Sequence, residues 1–360
     1  IFYINKMKKQ KLISKALILK RKNNKVYLNY KDLNFNEISK KEVIVKVEYS
    51  SINYKDYLIC SGKFSVNKNI TVPGIDLSGI ILKSNSNKFK IGQKVVAIAA
   101  PLGIKCNGGY SSLVKINENY LDKMNKNLST KNIMIFGTAG FTGIYTCLKI
   151  KKDYSNKKRL KILVTGATSG VGLTSLIYLN YLGHETCGLI SKKNFSQKKK
   201  ILNKIGTKNI IISDNISHKV NFSLLSEKYD CVIDNLGGEN IDYYLKQIKS
   251  NGSLYSIGNV YGNKLNINIM PFILRGVKII GINAESASKI SRRKIFDVVK
   301  SLSNKKLNYV FQTLMFKDLK KILTNFKNKR FVGRKLVKFD WYFYFTVQKM
   351  NGIVLNKWKN

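Results

Sequence analysis

At 360 residues the chain is long enough for two domains of ordinary size, each with its own core. A hydrophobic content of 44% excludes a disordered chain, and no window offers the eighteen or so uninterrupted apolar residues of a membrane helix. The net charge of +45 is spread along the whole chain, and only Lys198-Lys199-Lys200 and a few pairs are locally dense. That distribution speaks against a dedicated nucleic-acid surface and for long-range attraction of anionic ligands.

Ile1 to Lys11 lack the apolar core and small-residue cleavage site of a secretory signal, so a cytoplasmic address is expected, with Met7 a candidate start. From Leu12 to Leu121, β-branched and aromatic runs (Ala16–Leu19, Glu42–Tyr49, Leu77–Ile81, Lys94–Ala99) alternate with Gly62, Pro73-Gly74, Gly92 and Gly108-Gly109. They predict a mostly β domain of the partly open barrel kind. Ser129–Ile150 reads as a helix with Ser129 as N-cap. An alternation follows: strand Lys161–Thr165, helix Val171–Leu182, strand Glu185–Ile190, helix Ser196–Ile205, strands Asn209–Ser213 and Cys231–Asp234. It continues with helix Ile241–Ile248 and strands Ser253–Gly258 and Lys278–Ile282. This rhythm predicts a doubly wound parallel sheet of the α/β class. A helix at Ser291–Leu302 and a stretch Leu319–Val337 are expected to return to the first domain. The expected division is therefore 1–128 and 287–339 for one domain, 129–286 for the other, and 340–360, with its apolar Trp341–Phe345, as a tail of unassigned role.

Five cysteines stand at intervals of 40 residues or more, which fits neither a disulfide framework nor a zinc site and predicts free thiols in a reducing compartment. The sharpest local signal is the apolar strand from Lys161 running into Gly166-Ala167-Thr168-Ser169-Gly170-Val171-Gly172 and then a helix. That context suits a dinucleotide pyrophosphate, with Gly166, Thr168, Ser169, Gly170 and Val171 around it, although the spacing departs from the strict G-x-G-x-x-G pattern. About twenty residues on, where an NAD site carries a carboxylate for the ribose hydroxyls, stand Ser191, Lys192 and Lys193. They favour NADPH, although in so lysine-rich a chain either lysine is equally a solvated charge. Asp234 and Gly258 close successive strands at the sheet end where ligands bind, Gly258 as a candidate for close cofactor approach and Asp234 equally a turn cap.

Several stretches resemble the acryloyl-CoA reductase branch of the quinone oxidoreductases, within the medium-chain dehydrogenase/reductase superfamily. They are Ser50–Asp56, Pro73–Asp76, Gly137–Thr142, Val164–Gly172, Met270–Arg275 and Gly333–Val337, in the family's order across residues 12–339. The resemblance implies a Rossmann domain beside a GroES-like catalytic domain and a homodimer paired along Lys278–Ile282. It also implies a substrate cleft lined by Tyr54, Asp56, Asp76 and Arg334 with Asn53 beside them. Thr142, Phe272, Ile273 and Leu274 are expected near the nicotinamide. Ser169 replaces a third glycine, and Lys193 replaces an arginine, keeping the charge and losing the bidentate fork. The zinc enzymes of the superfamily have Gly-His-Glu where this chain has Gly74-Ile75-Asp76, so no metal is expected, and His184 and His218 read as packing or surface residues.

The implied reaction is NADPH-dependent reduction of the C=C bond of a short 2-enoyl-CoA, with Tyr54 as the leading proton donor or enolate partner. Asp56 and Asp76 are expected to orient Arg334, and Arg334 to pair with the substrate carbonyl; a purely structural ion-pair network is the alternative. A quinone or general enone reductase is the second enzymatic reading. A non-catalytic nucleic-acid-binding protein on the same fold is the third.

Overall fold

The computed structural model describes residues 12–340 apart from 24, 36, 68, 126, 216–220, 304–306, 308–309 and 327–331. His218, Met7 and the Trp341–Phe345 segment lie outside the described residues. The chain opens with a long hairpin, β1 (Leu12–Lys22) and β2 (Lys25–Phe35), and continues through β3 (Glu42–Ile52), helix α1 (Tyr54–Cys60), β4 (Leu77–Ser84), β5 (Lys94–Ala97), β6 (Leu113–Asn117) and β7 (Asp122–Lys123). Helix α2 (Thr130–Asp153) leads into β8 (Lys161–Val164), α3 (Gly170–Tyr181), β9 (Glu185–Ile190), α4 (Phe195–Lys204), β10 (Asn209–Ile212) and β11 (Tyr229–Asp234). Then come α5 (Asn240–Leu245), β12 (Ile248–Ser256), α6 (Met270–Arg275), β13 (Lys278–Gly281), α7 (Lys289–Ser303), β14 (Phe311–Met315), α8 (Leu319–Thr324) and β15 (Arg334–Lys338).

The strands β8 to β13 form one six-stranded sheet in the order β10-β9-β8-β11-β12-β13, every pair parallel. This is the doubly wound Rossmann order, with its switch point between β8 and β11. The central strands are buried on both faces, so they read in the sequence as continuous apolar runs rather than alternating ones. The second sheet has seven strands, β14-β15-β3-β4-β5-β7 with β6 on β3. Its last partner comes from the chain's far end: β15 runs antiparallel to β3, pairing Lys335 with Ile52. The C-terminal stretch thus pairs with the seven-stranded sheet. Helix α7 lies across the junction, with Ile295, Val299 and Leu302 in the core beneath α2 and Arg292 bonded to Asp122 and to the carbonyls of Ile98 and Ala99.

Helix α2 packs on the seven-stranded sheet and on α3, and its last residue, Asp153, accepts from the Tyr255 hydroxyl of β12 at 2.7 Å. By length and composition it would suit a bilayer, although its apolar residues are interrupted by polar ones; its apolar face is instead buried in the core. It is not one continuous helix. Gly137, at φ 51° and ψ −159°, breaks it, and the second half restarts at Thr138. Further along, Gly143 allows the close approach to α3, since a Cβ there would stand 2.9 Å from the Val171 carbonyl oxygen.

Three expectations shift. The helix drawn as Ile241–Ile248 stops at Leu245, because Ile248 opens β12 by pairing with Tyr229. Strand β2, with Lys25, Asn29, Lys31 and Asp32, escaped notice because only one face of the hairpin is covered. Helix α1, inside the Asn53–Asp56 motif, is too short to carry a visible period.

Candidate active site

The turn after β8 lies at the switch point of the parallel sheet. Gly166 takes φ 55°, a conformation that favours glycine, and Gly172 packs so tightly that a Cβ would sit 2.5 Å from the Gly166 carbonyl oxygen. Ser169 caps α3, its hydroxyl accepting from the Gly172 amide at 3.1 Å, so the serine side chain turns back onto the helix. Among the described residues the amides of Gly170 and Val171 have no backbone acceptor. These two helix-terminal donors and the two tight glycines fit a pyrophosphate. Across the turn, Asn235 donates to the Thr165 carbonyl at 2.7 Å, while its buried Oδ1 is without a partner among the described residues. Asp234 accepts from the Thr165 hydroxyl and the amides of Leu236 and Gly237, so it caps the turn, and burial raises its pKa. Gly258 lies against the Asn235 backbone, where a Cβ would meet the carbonyl oxygen at 2.1 Å. That contact accounts for the glycine without a cofactor.

At the end of β9, Lys192 and Lys193 are exposed and Ser191 is half-buried. The buried Lys198 of α4 reaches back to donate to the Ser191 hydroxyl at 2.7 Å and the Ser191 carbonyl at 3.0 Å. Asp214, at the end of β10, accepts from the Lys192 amide at 3.5 Å, and the Ser213 hydroxyl foremost, with Lys192 contributing, holds its carboxyl below the usual range.

Between the two sheets a polar cluster is buried. Asp76 accepts from Asn53 Nδ2 at 2.8 Å, the Thr138 amide at 3.1 Å, the Thr138 hydroxyl at 2.5 Å and, in a very short contact, the Ser51 hydroxyl. Arg334 donates to the Ile135 carbonyl at 3.0 Å, Asn53 Oδ1 at 3.0 Å and Ser51 Oγ at 2.8 Å, with Asp76 Oδ2 at 3.9 Å. The break at Gly137 makes room for this: a Cβ there would stand 2.5 Å from Arg334 Nη2 and 2.7 Å from Asp76 Oδ2. The carboxylate thus caps the positive end of the restarted helix and the guanidinium meets the negative end of the preceding one. Asp56 closes the motif, accepting from the amides of Asn53 and Ile75 at 2.9 Å each. Burial, then the nearby Asp76 charge, pushes its pKa up to about 7. Burial also lowers Arg334 and raises Tyr110, whose hydroxyl donates to the Ser51 carbonyl.

Asp56, Asp76 and Arg334 therefore do not line an open cleft as the resemblance implied; they are enclosed, and Asp76 rather than Asp56 faces the arginine. Tyr54 differs. It starts α1 and is 37% exposed, with its ring 5.8 Å from Tyr57. Its neighbour Lys55 bridges to Glu285, just past β13, at 2.9 Å, which sets Tyr54 at the C-terminal end of the parallel sheet.

Comparison with known proteins bears on this arrangement. The alcohol dehydrogenase GroES-like domain family matches residues 39–151. The acrylyl-CoA reductase AcuI of Ruegeria pomeroyi is 30% identical over 309 residues, covering 85% of this chain and 93% of its own. The chain belongs to the acryloyl-CoA reductase and quinone oxidoreductase branch of the medium-chain dehydrogenase/reductase superfamily. The putative quinone oxidoreductase YhfP of Bacillus subtilis, another relative in that superfamily, is 27% identical over 326 residues, covering 90% of this chain and 98% of its own. Its solved structure, with NAD bound, matches with a TM-score of 0.82 over 91% of this chain and 99% of its own. YhdH of Escherichia coli, solved with NADPH bound, matches at 27% identity and a TM-score of 0.81 over 90% of this chain and 99% of its own.

Within this oxidoreductase fold the remaining expected residues separate. Thr142 is buried in the restarted half of α2, its hydroxyl bonded to the Thr138 carbonyl at 2.8 Å. On α6, Phe272 packs towards the sheet, whereas Ile273 and Leu274 are mostly exposed beside the edge strand β13. They are neither core nor enclosed around a pocket. Three members of the cluster were missed in the sequence: Ser51, Thr138 and the Gly137 break. Their motifs had been noticed, but only the fold brings them to Asp76. Among the described residues no three His, Cys, Asp or Glu side chains gather as a metal-holding group. His184 accepts from the Leu160 amide, with its pKa lowered chiefly by burial.

Proposed function

We propose that this oxidoreductase reduces the C=C bond of a short 2-enoyl-CoA thioester, acryloyl-CoA by its likeness to AcuI, using NADPH bound along the turn Gly166–Val171 and the end of β9. The observation that carries the reading is the contact between the two halves of the site. A Cβ on Gly170, in the dinucleotide turn, would strike Arg334 at 2.9 Å, and Arg334 holds Asn53, which begins the Tyr54–Asp56 segment. NADPH supplies a hydride to the β carbon. This chain's own residues exclude water, fix the segment that carries Tyr54, and present the Tyr54 hydroxyl at the sheet end as donor to the carbonyl oxygen, where negative charge develops, and a proton delivered to the α carbon completes the saturated thioester. In this reading Asp56, Asp76, Asn53 and Arg334 are positioning residues behind Tyr54. Thr142 lies in the layer behind the nicotinamide, and Ser191, Lys192 and Lys193 read the 2′-phosphate. The same reading keeps a domain division of 1–128 with 287–339 around 129–286. Five free cysteines agree with a reducing, cytoplasmic setting.

Oxidation of NADPH with acryloyl-CoA and with a quinone, compared side by side, tests the substrate. A larger kcat/KM for the quinone replaces this reading by the quinone reductase suggested by the likeness to YhfP. Tyr54→Phe is expected to lower turnover at least about tenfold with NADPH affinity unchanged, within the usual range for removing a positioned proton donor. A variant with wild-type turnover removes Tyr54 from the chemistry. A homodimer belongs to the same reading: Val260, Tyr261, Leu265, Ile269, Ile273 and Leu274 are all well exposed, several of them beside the free edge of β13. A monomer by sedimentation at micromolar concentration contradicts it.

A further inference from the structure

Ala99, just past β5, is buried and takes a left-handed backbone at φ 46° although it carries a Cβ. Such a conformation costs free energy in any residue but glycine and persists only where the surroundings hold it. Two groups hold it here. Its amide donates to the Thr138 hydroxyl at 2.7 Å, and its carbonyl accepts from Arg292 Nη1 at 3.4 Å. Arg292 comes from α7, on the segment that leaves the parallel sheet. Its Nη2 donates to the Ile98 carbonyl at 2.7 Å and, together with Nε, to Asp122 on β7. Its guanidinium also lies 4.8 Å from the centre of the Phe141 ring. Phe141 stands one turn after Thr138 on the restarted half of α2. Arg292 thus grips both sides of the Ala99–Thr138 bond, the strand end that donates and the helix that accepts.

That bond has a direction, and the direction reaches the site. A hydroxyl has a single proton to give. Thr138 accepts from the Ala99 amide and therefore turns its proton to Asp76 Oδ1, at 2.5 Å. Asp76 in turn accepts from Asn53 Nδ2 at 2.8 Å, and Asn53 is the N-cap of α1, whose first residue is Tyr54. We propose that Arg292 is a positioning residue for the reaction, which holds Ala99 in its left-handed conformation and so fixes, through Thr138 and Asp76, the segment that presents Tyr54. The inference rests on the reading of Tyr54 as the donor to the substrate carbonyl, and adds a residue outside the motifs that carry the family resemblance.

The test is steady-state NADPH oxidation by the full chain with acryloyl-CoA, with NADPH affinity measured separately by fluorescence titration. Arg292→Met removes the guanidinium and keeps the stem. Its kcat is expected to fall at least about tenfold, a scale that misplacing a reacting group reaches, with KM and NADPH affinity within about threefold of wild type. Glycine adopts the left-handed region freely, so adding Ala99→Gly to the Arg292→Met chain is expected to raise kcat at least about threefold over Arg292→Met alone. A merely structural arginine is not replaced by a glycine on another element. Should Arg292→Met not fold, Arg292→Lys carries the same comparison, since it keeps the charge beside Asp122 and loses the fork across the two carbonyls. Arg293→Met, at the exposed neighbouring position, leaves kcat unchanged. Wild-type kcat in a folded Arg292 variant, a loss confined to KM or NADPH affinity, or no gain from Ala99→Gly overturns the proposal. A wild-type chain that turns over neither acryloyl-CoA nor a quinone removes the reductase reading itself, an outcome distinct from a failure at Arg292.

Discussion

Replacing Asp76 by asparagine tests the buried cluster at its centre. Four donors converge on the carboxylate from Ser51, Asn53 and Thr138, and Arg334 stands 3.9 Å away. An amide has one acceptor oxygen. Its NH2 group must face either the Thr138 amide and hydroxyl or the Ser51 and Asn53 donors, and either way an N–H is left facing a donor while the hydroxyl beside it must turn to accept. The guanidinium meanwhile loses its nearest counter-charge at a position only 4% exposed. Breaking one partner of a buried pair costs about 3–5 kcal/mol, and the lost hydrogen bonds are part of that figure rather than an addition to it. Against a total stability of about 5–15 kcal/mol, Asp76→Asn folds but its urea midpoint falls steeply. Arg334→Met alone is expected to cost a similar amount. The double variant costs at least about 2 kcal/mol less than the sum, because each change removes what the other left unpaired. With the Asp76 charge gone, Asp56 also loses a neighbour that raises its pKa, so its titration moves down. A loss below about 1 kcal/mol for Asp76→Asn, or strict additivity in the double variant, refutes the argument.

Gly137→Ala forces a left-handed residue, which costs about 1–2 kcal/mol, and drives a methyl within 3 Å of Arg334, Asp76 and Ser51. A melting temperature within a degree of wild type contradicts the helix break as described. Asp56 has a folded pKa of about 7, above the ordinary carboxylate value, so the folded state holds a proton that the unfolded chain releases. Its contribution is complete below about pH 4 and is lost as pH rises through about 7, and Asp56→Asn flattens that slope in urea titrations between pH 5 and 8. An unchanged slope assigns the dependence elsewhere. Gly172→Ala puts a Cβ 2.5 Å from the Gly166 carbonyl, so the turn must open; NADPH affinity falls at least about tenfold by fluorescence titration, and wild-type affinity counts against the pyrophosphate assignment.

The parts legible in the sequence were those whose physics is local. Strand β9 was read to both ends because Glu185–Ile190 is a β-branched and apolar run set between Gly183 and the polar Ser191-Lys192. The turn at Gly166 was legible because strand, glycines and helix follow one another directly. What stayed hidden depends on residues far apart in the chain. Nothing near Gly137 announces that a helix will break there, since the break is held by Asp76 from one side and Arg334 from the other. Lys198 stood in the sequence only as part of a locally dense lysine run, yet its spacing from Phe195, Ile201 and Ile205 put it on the apolar face of α4, a signal the sequence contained.

Those distant partners also decide what Arg334 can do. Four hydrogen bonds and the Asp76 ion pair hold its guanidinium, and a turn towards a substrate carbonyl would give these up at a position only 4% exposed. The cost of that exchange, several kcal/mol by the reasoning applied to Asp76, exceeds what one charge-assisted bond to a carbonyl returns. Arg334 is therefore better suited to hold than to react. Its position fits this: Gly333 donates to the Thr168 carbonyl at 3.1 Å, the arginine packs on Gly170, and its fork binds Asn53. One residue at the start of the last strand thus ties the Gly166–Gly170 turn to the segment bearing Tyr54. The two halves of the site are fixed relative to each other by the very strand that brings the chain back from the parallel sheet.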